Sequence, residues 1–494
     1  MSGFGGSGGG RGGGFGGSGG GRGGGFGGGF GGSGGGGGGR GRRGGGRGRG
    51  GRGRRGGGGN NYQGGGNNSG GGNTNHPTPK LRPCKAWTTT GNCQHNNNCN
   101  FAHVVKMHAM IDASSVMPND NKNNNNNNYN NNNRYNNGPN LAPVSSVAIW
   151  ETQGAIKIFT GSHDGYWRLW NTQGGHFNKE FEHHMGGSVQ CLVVASNFLF
   201  CGFESIATSL PEITVGMIHA WDLSNPSAPP LEFHMQPNSV PYAHATAVTK
   251  LIVADGQNII SGSRDGTIRF WSFDAAASGA NAQAAPTGPS KGGFVLAKTL
   301  SGHAREITGL AVADNVLWSS STDGSIRIWD MTSGQCQFTI IMAGANLNPQ
   351  QQSSISATGH SNAVTGLVSF KSPSGTFVLS SSLDGDVKAW NGSTGQCVAS
   401  QQHGEGVVTM SMADDPSGNQ LLLIGLESGN IMVRNLLQTG KMPAFTLLFT
   451  LSNHYTVAHS GAVKALAKGP SGTFYTGGSD GKVLVFQFNG DLGL

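Results

Sequence analysis

The chain has 494 residues, yet only 35% are apolar and 12% charged, against about 45–50% apolar in an ordinary soluble domain. Of its 89 glycines, 46 fall within residues 1–72, and an Asn-rich tract runs from Asn119 to Asn140, which leaves about 350 residues from Leu141 to Leu494 for two ordinary domains or one large all-β domain. Residues 1–111 hold 14 Lys and Arg and no acid, so a chain of net charge +8 consists of a segment at +14 and a remainder at −6. That division suits a polyanion partner for the first segment and an uncharged or protein partner for the second. The first residues are glycine-rich where an export signal needs an apolar core, and no apolar run approaches 18 residues, so neither export nor a membrane span is expected. Seven cysteines, three clustered and four scattered, fit a reducing compartment, the nucleus or the cytoplasm.

Residues 1–75 repeat a unit of Phe, Gly and Arg, seen from Phe4 and again from Phe15, and end in a cluster running from Arg40 to Arg55. Glycine at this density loses the most backbone entropy on folding and brings no side chain to bury, so a disordered tail is expected. What it offers is guanidinium groups, which bind phosphate and stack on bases, and occasional phenyl rings that also stack. The segment resembles the Arg-Gly-Gly (RGG) regions of RNA-associated proteins.

Next comes Arg82-Pro-Cys-Lys-Ala-Trp-Thr-Thr-Thr-Gly-Asn-Cys93, followed by Cys99 and His103, a spacing of C-x8-C-x5-C-x3-H. Three thiolates and one imidazole fill a tetrahedral zinc shell and leave no open position, which marks one structural zinc ion. A segment so short and polar would draw most of its folding free energy from the metal. Over about 25 residues, taken within bounds 78–108, it resembles the CCCH zinc fingers, down to Trp87 three after the first Cys, Gly91 two before the second and Phe101 two after the third. The resemblance implies single-stranded RNA binding, with rings stacked on splayed bases. It nominates Trp87, His95 and Phe101 for stacking and Lys80, Arg82 and Lys85 for phosphate contact. Packing on the zinc core competes with base stacking for Trp87 and Phe101, and His95 stands where the strongest RNA readers carry Tyr or Phe. His108, just beyond, is not needed by the shell. The Asn tract, 119–140, is read as a low-complexity linker or insert.

From Val144 the chain repeats an Asp-Gly turn between two strand-like runs, at Asp164, Asp265, Asp323, Asp384 and Asp480, with degenerate copies around Gly216 and Gly429. A His precedes most copies: His244, His303, His360 and His459. These units resemble WD40 repeats and imply an all-β fold, a seven-bladed β-propeller over 141–494. In that family the loop His, a strand hydroxyl, the turn Asp and a Trp form a structural network, so His303, Asp323 and Trp329, with their counterparts, are not acid–base catalysts. The last repeat ends at Phe488 without an outer strand, so an N-terminal strand must close the ring. Val104–Met107 and the residues around Leu141–Ser145 are the two candidates.

No phosphate loop, nucleophile motif or second metal cluster is present in the sequence, so an enzyme is not expected. A single CCCH finger before a WD40 propeller resembles the CCCH–WD40 proteins described in plants. It implies an RNA-binding adaptor whose tail and finger hold RNA while the propeller recruits proteins. The alternative is a protein scaffold or a ubiquitin-ligase substrate receptor. Receptors of that kind often end blades in Trp-Asp-x-Arg, whereas Trp221-Asp222-Leu-Ser224 and Trp329-Asp330-Met-Thr332 lack the Arg.

Overall fold

The computed structural model describes residues 82–115 and 141–492, apart from 96–97, 153, 173–175, 208–209, 226–227, 236–241, 255, 257, 274–292, 349, 438–443, 455 and 491. The Arg-Gly-rich segment 1–75, Lys80 and the Asn tract 119–140 lie outside the described residues. Within them, a six-residue helix, Lys85–Thr90, precedes an otherwise mostly β structure that includes a 3-10 turn, Gln351–Ser353.

Among the described residues the strands pair antiparallel into seven groups of four. Their innermost strands are Val144–Thr152, Val189–Ala195, Val248–Ala254, Ile307–Ala313, Val364–Ser372, Val407–Asp414 and Val463–Lys468. Each lies beside the next, and the seventh lies beside the first, so the groups form a closed ring. Two outer edges are joined by a short parallel pairing of Phe233–His234 with Phe294–Val295, and Ile355–Gly359 adds in parallel to Cys336–Met342.

Every inner strand has the same irregularity: the register shifts across its second residue, a β-bulge at Ser145, Gln190, Thr249, Thr308, Thr365, Val408 or Lys464. A bulged residue is released from its ladder and its side chain re-aimed. Here four of them bond across to the next sheet. Ser145 donates to the Val189 carbonyl at 2.6 Å, Thr249 to Ile307 at 2.5 Å, Thr308 to Val364 at 2.6 Å and Thr365 to Val407 at 2.8 Å. At the second seam the Cys191 thiol reaches the Val248 carbonyl at 3.5 Å. Val408 and Lys464 have no hydroxyl to give, and the seams at which they lie, between the sixth and seventh sheets and between the seventh and first, border the seventh sheet on both sides.

That seventh sheet is completed from the other end of the chain. Val105–Asp112 pairs antiparallel with the terminal strand Lys482–Phe488, from Val105 opposite Phe488 to Asp112 opposite Lys482. Of the two closing candidates, the Val104–Met107 region is the one used, and the strand runs on to Asp112. Leu141–Ser145 instead leads into the first inner strand. Residues 105–108, placed with the finger by the sequence bounds, therefore lie in a propeller strand.

One extra residue sits in the closing strand between Met107 and Ala109. Because side chains alternate faces, such an insertion moves everything beyond it to the other face. Val105 accordingly packs with Leu421, Leu423, Phe474 and Phe486 in the core between the sixth and seventh sheets, and Ile111 with Val144, Val147 and Trp170 in the core between the seventh and first. One short strand thus seals both seams that lack a hydroxyl or thiol bridge. His108, at the bulge, is exposed and meets Gln487 at 2.6 Å, so it pairs with the terminal strand.

The repeat histidines are buried parts of the frame. His303 Nδ1 lies 3.2 Å from Asp323, its Nε2 lies 2.8 Å from Ser319 Oγ, and Trp329 Nε1 donates to the same hydroxyl at 2.8 Å. His244–Asp265–Ser261–Trp271 and His360–Asp384–Ser380–Trp390 repeat the arrangement, and His459–Asp480–Thr476 repeats it with Phe486 in place of Trp. Gly324 closes the intervening turn at φ +82°, a conformation that side chains disfavour. The first sheet has no such His. Asp164 is held instead by Arg168 at 2.8 Å, both side chains about 6% exposed. Arg168 also donates to the Ala113 carbonyl at 3.0 Å and to Ser115 Oγ at 2.9 Å, binding the chain that leaves the closing strand.

Burial disfavours the charged Asp323 carboxylate, but hydrogen bonds from His303 and Ser325 outweigh it and hold its pKa below the ordinary range. Asp265 and Asp384 are lowered in the same way by His244 and His360. A carboxyl more acidic in the folded than in the unfolded chain stabilises the fold above about pH 4, and this contribution is lost as the pH falls further. Asp323→Asn should therefore melt below the parent protein at pH 7, and the gap should narrow below about pH 4 in calorimetric melts. Ser319→Ala leaves His303 and Trp329 without their shared partner and should cost about 1–3 kcal/mol, read from denaturant unfolding. Arg168→Met leaves the buried Asp164 with backbone N–H donors but no cation and should cost about 3–5 kcal/mol in the same assay.

Candidate metal centre

The finger is built by a short out-and-back path. Cys84, in extended conformation, caps the helix Lys85–Thr90, and its carbonyl accepts the Thr88 N–H at 2.8 Å. Gly91 ends the helix in the left-handed region at φ +71°, its N–H reaching the Trp87 carbonyl. The chain then turns back, with Asn98 N–H on the His95 carbonyl at 2.8 Å. Ala102 rejoins the start: Cys84 N–H donates to the Ala102 carbonyl and Ala102 N–H to the Arg82 carbonyl, both at 2.8 Å. This brings Cys99 and His103 beside the two earlier cysteines.

The donor atoms of Cys84, Cys93, Cys99 and His103 all lie within 4.8 Å of one another. The three cysteines are buried, and Cys84 Sγ is 3.7 Å from Cys93 Sγ, far beyond the roughly 2.05 Å of a disulfide. Burial pushes the Cys84 thiol up, a hydrogen bond from the Trp87 backbone opposes this, and the neighbouring Cys93 and Cys99 push it further. A cation that takes up the thiolates reverses that balance. Three sulfurs and one imidazole nitrogen fit one structural zinc ion and leave no ligand position for chemistry. Among the described residues no other group of His, Cys, Asp and Glu is placed to hold a metal.

The nominated RNA-contact residues divide. Trp87 stacks on His103, ring centroids 4.7 Å apart and planes 11° from parallel, so one face of the indole is spent on the metal site. Phe101 projects outward, 47% exposed. His95, Arg82 and Lys85 are exposed as well.

A residue far away in sequence completes the site's attachment. Asn489 donates from its side chain to the His103 carbonyl at 3.0 Å and from its backbone to the Val104 carbonyl at 2.9 Å. The Lys106 side chain also lies over the helix end, so close that a Cβ on Gly91 would come within 2.6 Å of its Cε. No local pattern marks Asn489 or Arg168 in advance, because each acts on residues from another part of the chain.

The zinc finger C-x8-C-x5-C-x3-H family model matches residues 79–105, and the WD domain, G-beta repeat model matches 136–171, 235–272, 294–330, 351–391 and 445–487. The chain carries a CCCH zinc finger and WD40 repeats. This is the combination of the plant CCCH–WD40 class. The rice "Zinc finger CCCH domain-containing protein 17" is 25% identical over 82% of this chain and 73% of its own length. "Zinc finger CCCH domain-containing protein 59" of Arabidopsis thaliana is 31% identical over 40% of this chain and 35% of its own length. "Nuclear distribution protein PAC1" of Saccharomyces cerevisiae (strain YJM789) is 26% identical over 39% of each chain. Among solved structures, the computationally designed Ika8 protein is 21% identical, with a TM-score of 0.45 over 70% of this chain and 96% of that one. The WD40 matches leave out the sheet starting at Val189 and the first three strands of the sheet starting at Val407, which hold the degenerate copies around Gly216 and Gly429. Both sheets nevertheless carry four strands.

The four ligands should hold one zinc per chain. Cys93→Ser should lower bound zinc from one equivalent to none, measured by elemental analysis of the purified protein.

Proposed function

We propose that this protein is a non-enzymatic RNA-binding adaptor of the nucleus or cytoplasm, in which the finger and the Arg-rich segment hold single-stranded RNA and the WD40 domain recruits proteins. A zinc finger joined to a WD40 domain is an adaptor architecture, and protein partners belong to its WD40 part. The RNA reading is carried by Phe101, a large ring left 47% exposed on a finger whose other aromatic residue packs on the metal site. An exposed ring on a small finger that also exposes Lys85 and His95 offers a face on which an unstacked base lies and a cation with which a phosphate pairs. The ten Arg before Gly59 add charge without base selectivity.

A second reading takes the finger as part of the propeller frame, with proteins alone as partners. The bonds from Asn489 to His103 and Val104 favour it.

Titration of short RNAs at several salt concentrations separates the two. Each phosphate contact on a single strand contributes about −0.7 to the slope of log affinity against log salt. Deleting residues 1–72 should flatten that slope and keep any base preference. Phe101→Ala should keep the slope and cost about 1–3 kcal/mol on the preferred sequence. If Phe101→Ala changes binding to no RNA, the scaffold reading replaces this one.

A further inference from the structure

We infer that the metal site is the latch of the propeller: zinc held by Cys84, Cys93, Cys99 and His103 fixes the closing strand against the terminal strand, and losing the metal unfastens the ring at its seventh sheet. The latch is independent of whether the finger binds RNA.

The joint has no slack. His103 is a ligand and Val105 is the first paired residue of the closing strand, with Val104 alone between them. Consecutive Cα atoms are about 3.8 Å apart, so the strand cannot shift far without pulling the imidazole from the cluster. Both carbonyls at the joint are held by Asn489, one residue past the terminal strand, so the same few atoms belong to the finger and to the sheet. Lys106, the second strand residue, packs over the end of the finger helix at Gly91.

The seventh sheet is where such a latch matters. Five of the seven seams are bridged by a hydroxyl or thiol from an inner strand, and the two beside this sheet, at Val408 and Lys464, are not. Val105 and Ile111 plug those two seams from the closing strand. The far end of the strand is anchored without the metal, by Ala113 N–H on the Gly481 carbonyl at 3.0 Å and by Arg168 on Ala113 and Ser115. The end at Val105 has the finger and Asn489. A CCCH finger of this size folds on its metal, so metal loss frays the strand from Val105 inward. That uncovers the apolar pocket around Phe449, Phe474 and Phe488 and exposes the edge of Lys482–Phe488.

The test is hydrogen exchange and calorimetry on the full chain, with zinc and with a chelator, bound zinc being assayed in each sample. Chelation should speed amide exchange in Val105–Asp112 and Lys482–Phe488 before it does so in Ile307–Ala313, and should lower the propeller's melting midpoint. Cys93→Ser should reproduce both shifts. A flexible Gly-Ser insertion between His103 and Val104 should keep one bound zinc but remove the effect of chelation on Lys482–Phe488. Asn489→Ala should lessen the effect while both strands remain. If the native chain loses its zinc with exchange in Lys482–Phe488 and the melting midpoint unchanged, the latch is refuted. It is refuted equally if the insertion variant keeps the parent's dependence on zinc.

Discussion

The pairing of Val105–Asp112 with Lys482–Phe488 is the contact on which the ring depends, because it joins the two ends of a structure otherwise built from local hairpins. Each of the other six groups of strands comes from consecutive chain and can pair its strands locally. A ring cannot, since its last edge must find a partner from nearly 400 residues earlier in sequence. Closing so long a loop carries a large entropic cost, which favours anchors at both ends of the strand that closes it. Asn489 holds one end and Arg168 with Gly481 the other. The bulge between Met107 and Ala109 lets eight residues serve two cores, because it sends Val105 and Ile111 to opposite faces.

The frame tolerates losses in its polar networks so long as the apolar packing persists. The first sheet has Arg168 where others have His, and it still fixes its turn Asp. The sixth sheet has no turn Asp, and the Glu405 carboxylate accepts from Ser428 N–H at 3.0 Å and Oγ at 2.8 Å. The second extends its hairpin, with Gly216 N–H bonded to the His244 carbonyl at 3.0 Å. In each case a different group takes up the bonding at the turn, which matters most at the first sheet, where Asp164 is buried and an unpaired polar group would be costly. Leu422, Leu423, Ile424 and Val433 keep the sixth sheet's interior apolar and fully buried.

The finger follows a different logic. Its core is three cysteines and part of Trp87, too little apolar surface to hold thirty residues without an ion. Its aromatic residues therefore divide by need. Trp87 covers the ligand His103, and Phe101, which has nothing to cover, faces solvent.

Much was legible from residue types alone. The C-x8-C-x5-C-x3-H spacing determined the zinc ligands, because a tetrahedral shell accepts few donor sets and the intervening lengths suit one helical turn and a return loop. The Asp-Gly turns and the His–Asp–Trp spacing determined the repeats, because these are local hydrogen-bond patterns written within about 30 residues. Trp87, left open between base stacking and packing, has one face packed on His103 at 4.7 Å. The closing strand, the Asn489 bonds and the Arg168 anchor were decided only by the tertiary structure. Each joins residues far apart in the chain, and both closing candidates offered β-forming residues. Which of them closed the ring depended on a partner edge and two seams that exist only once the sheets have assembled.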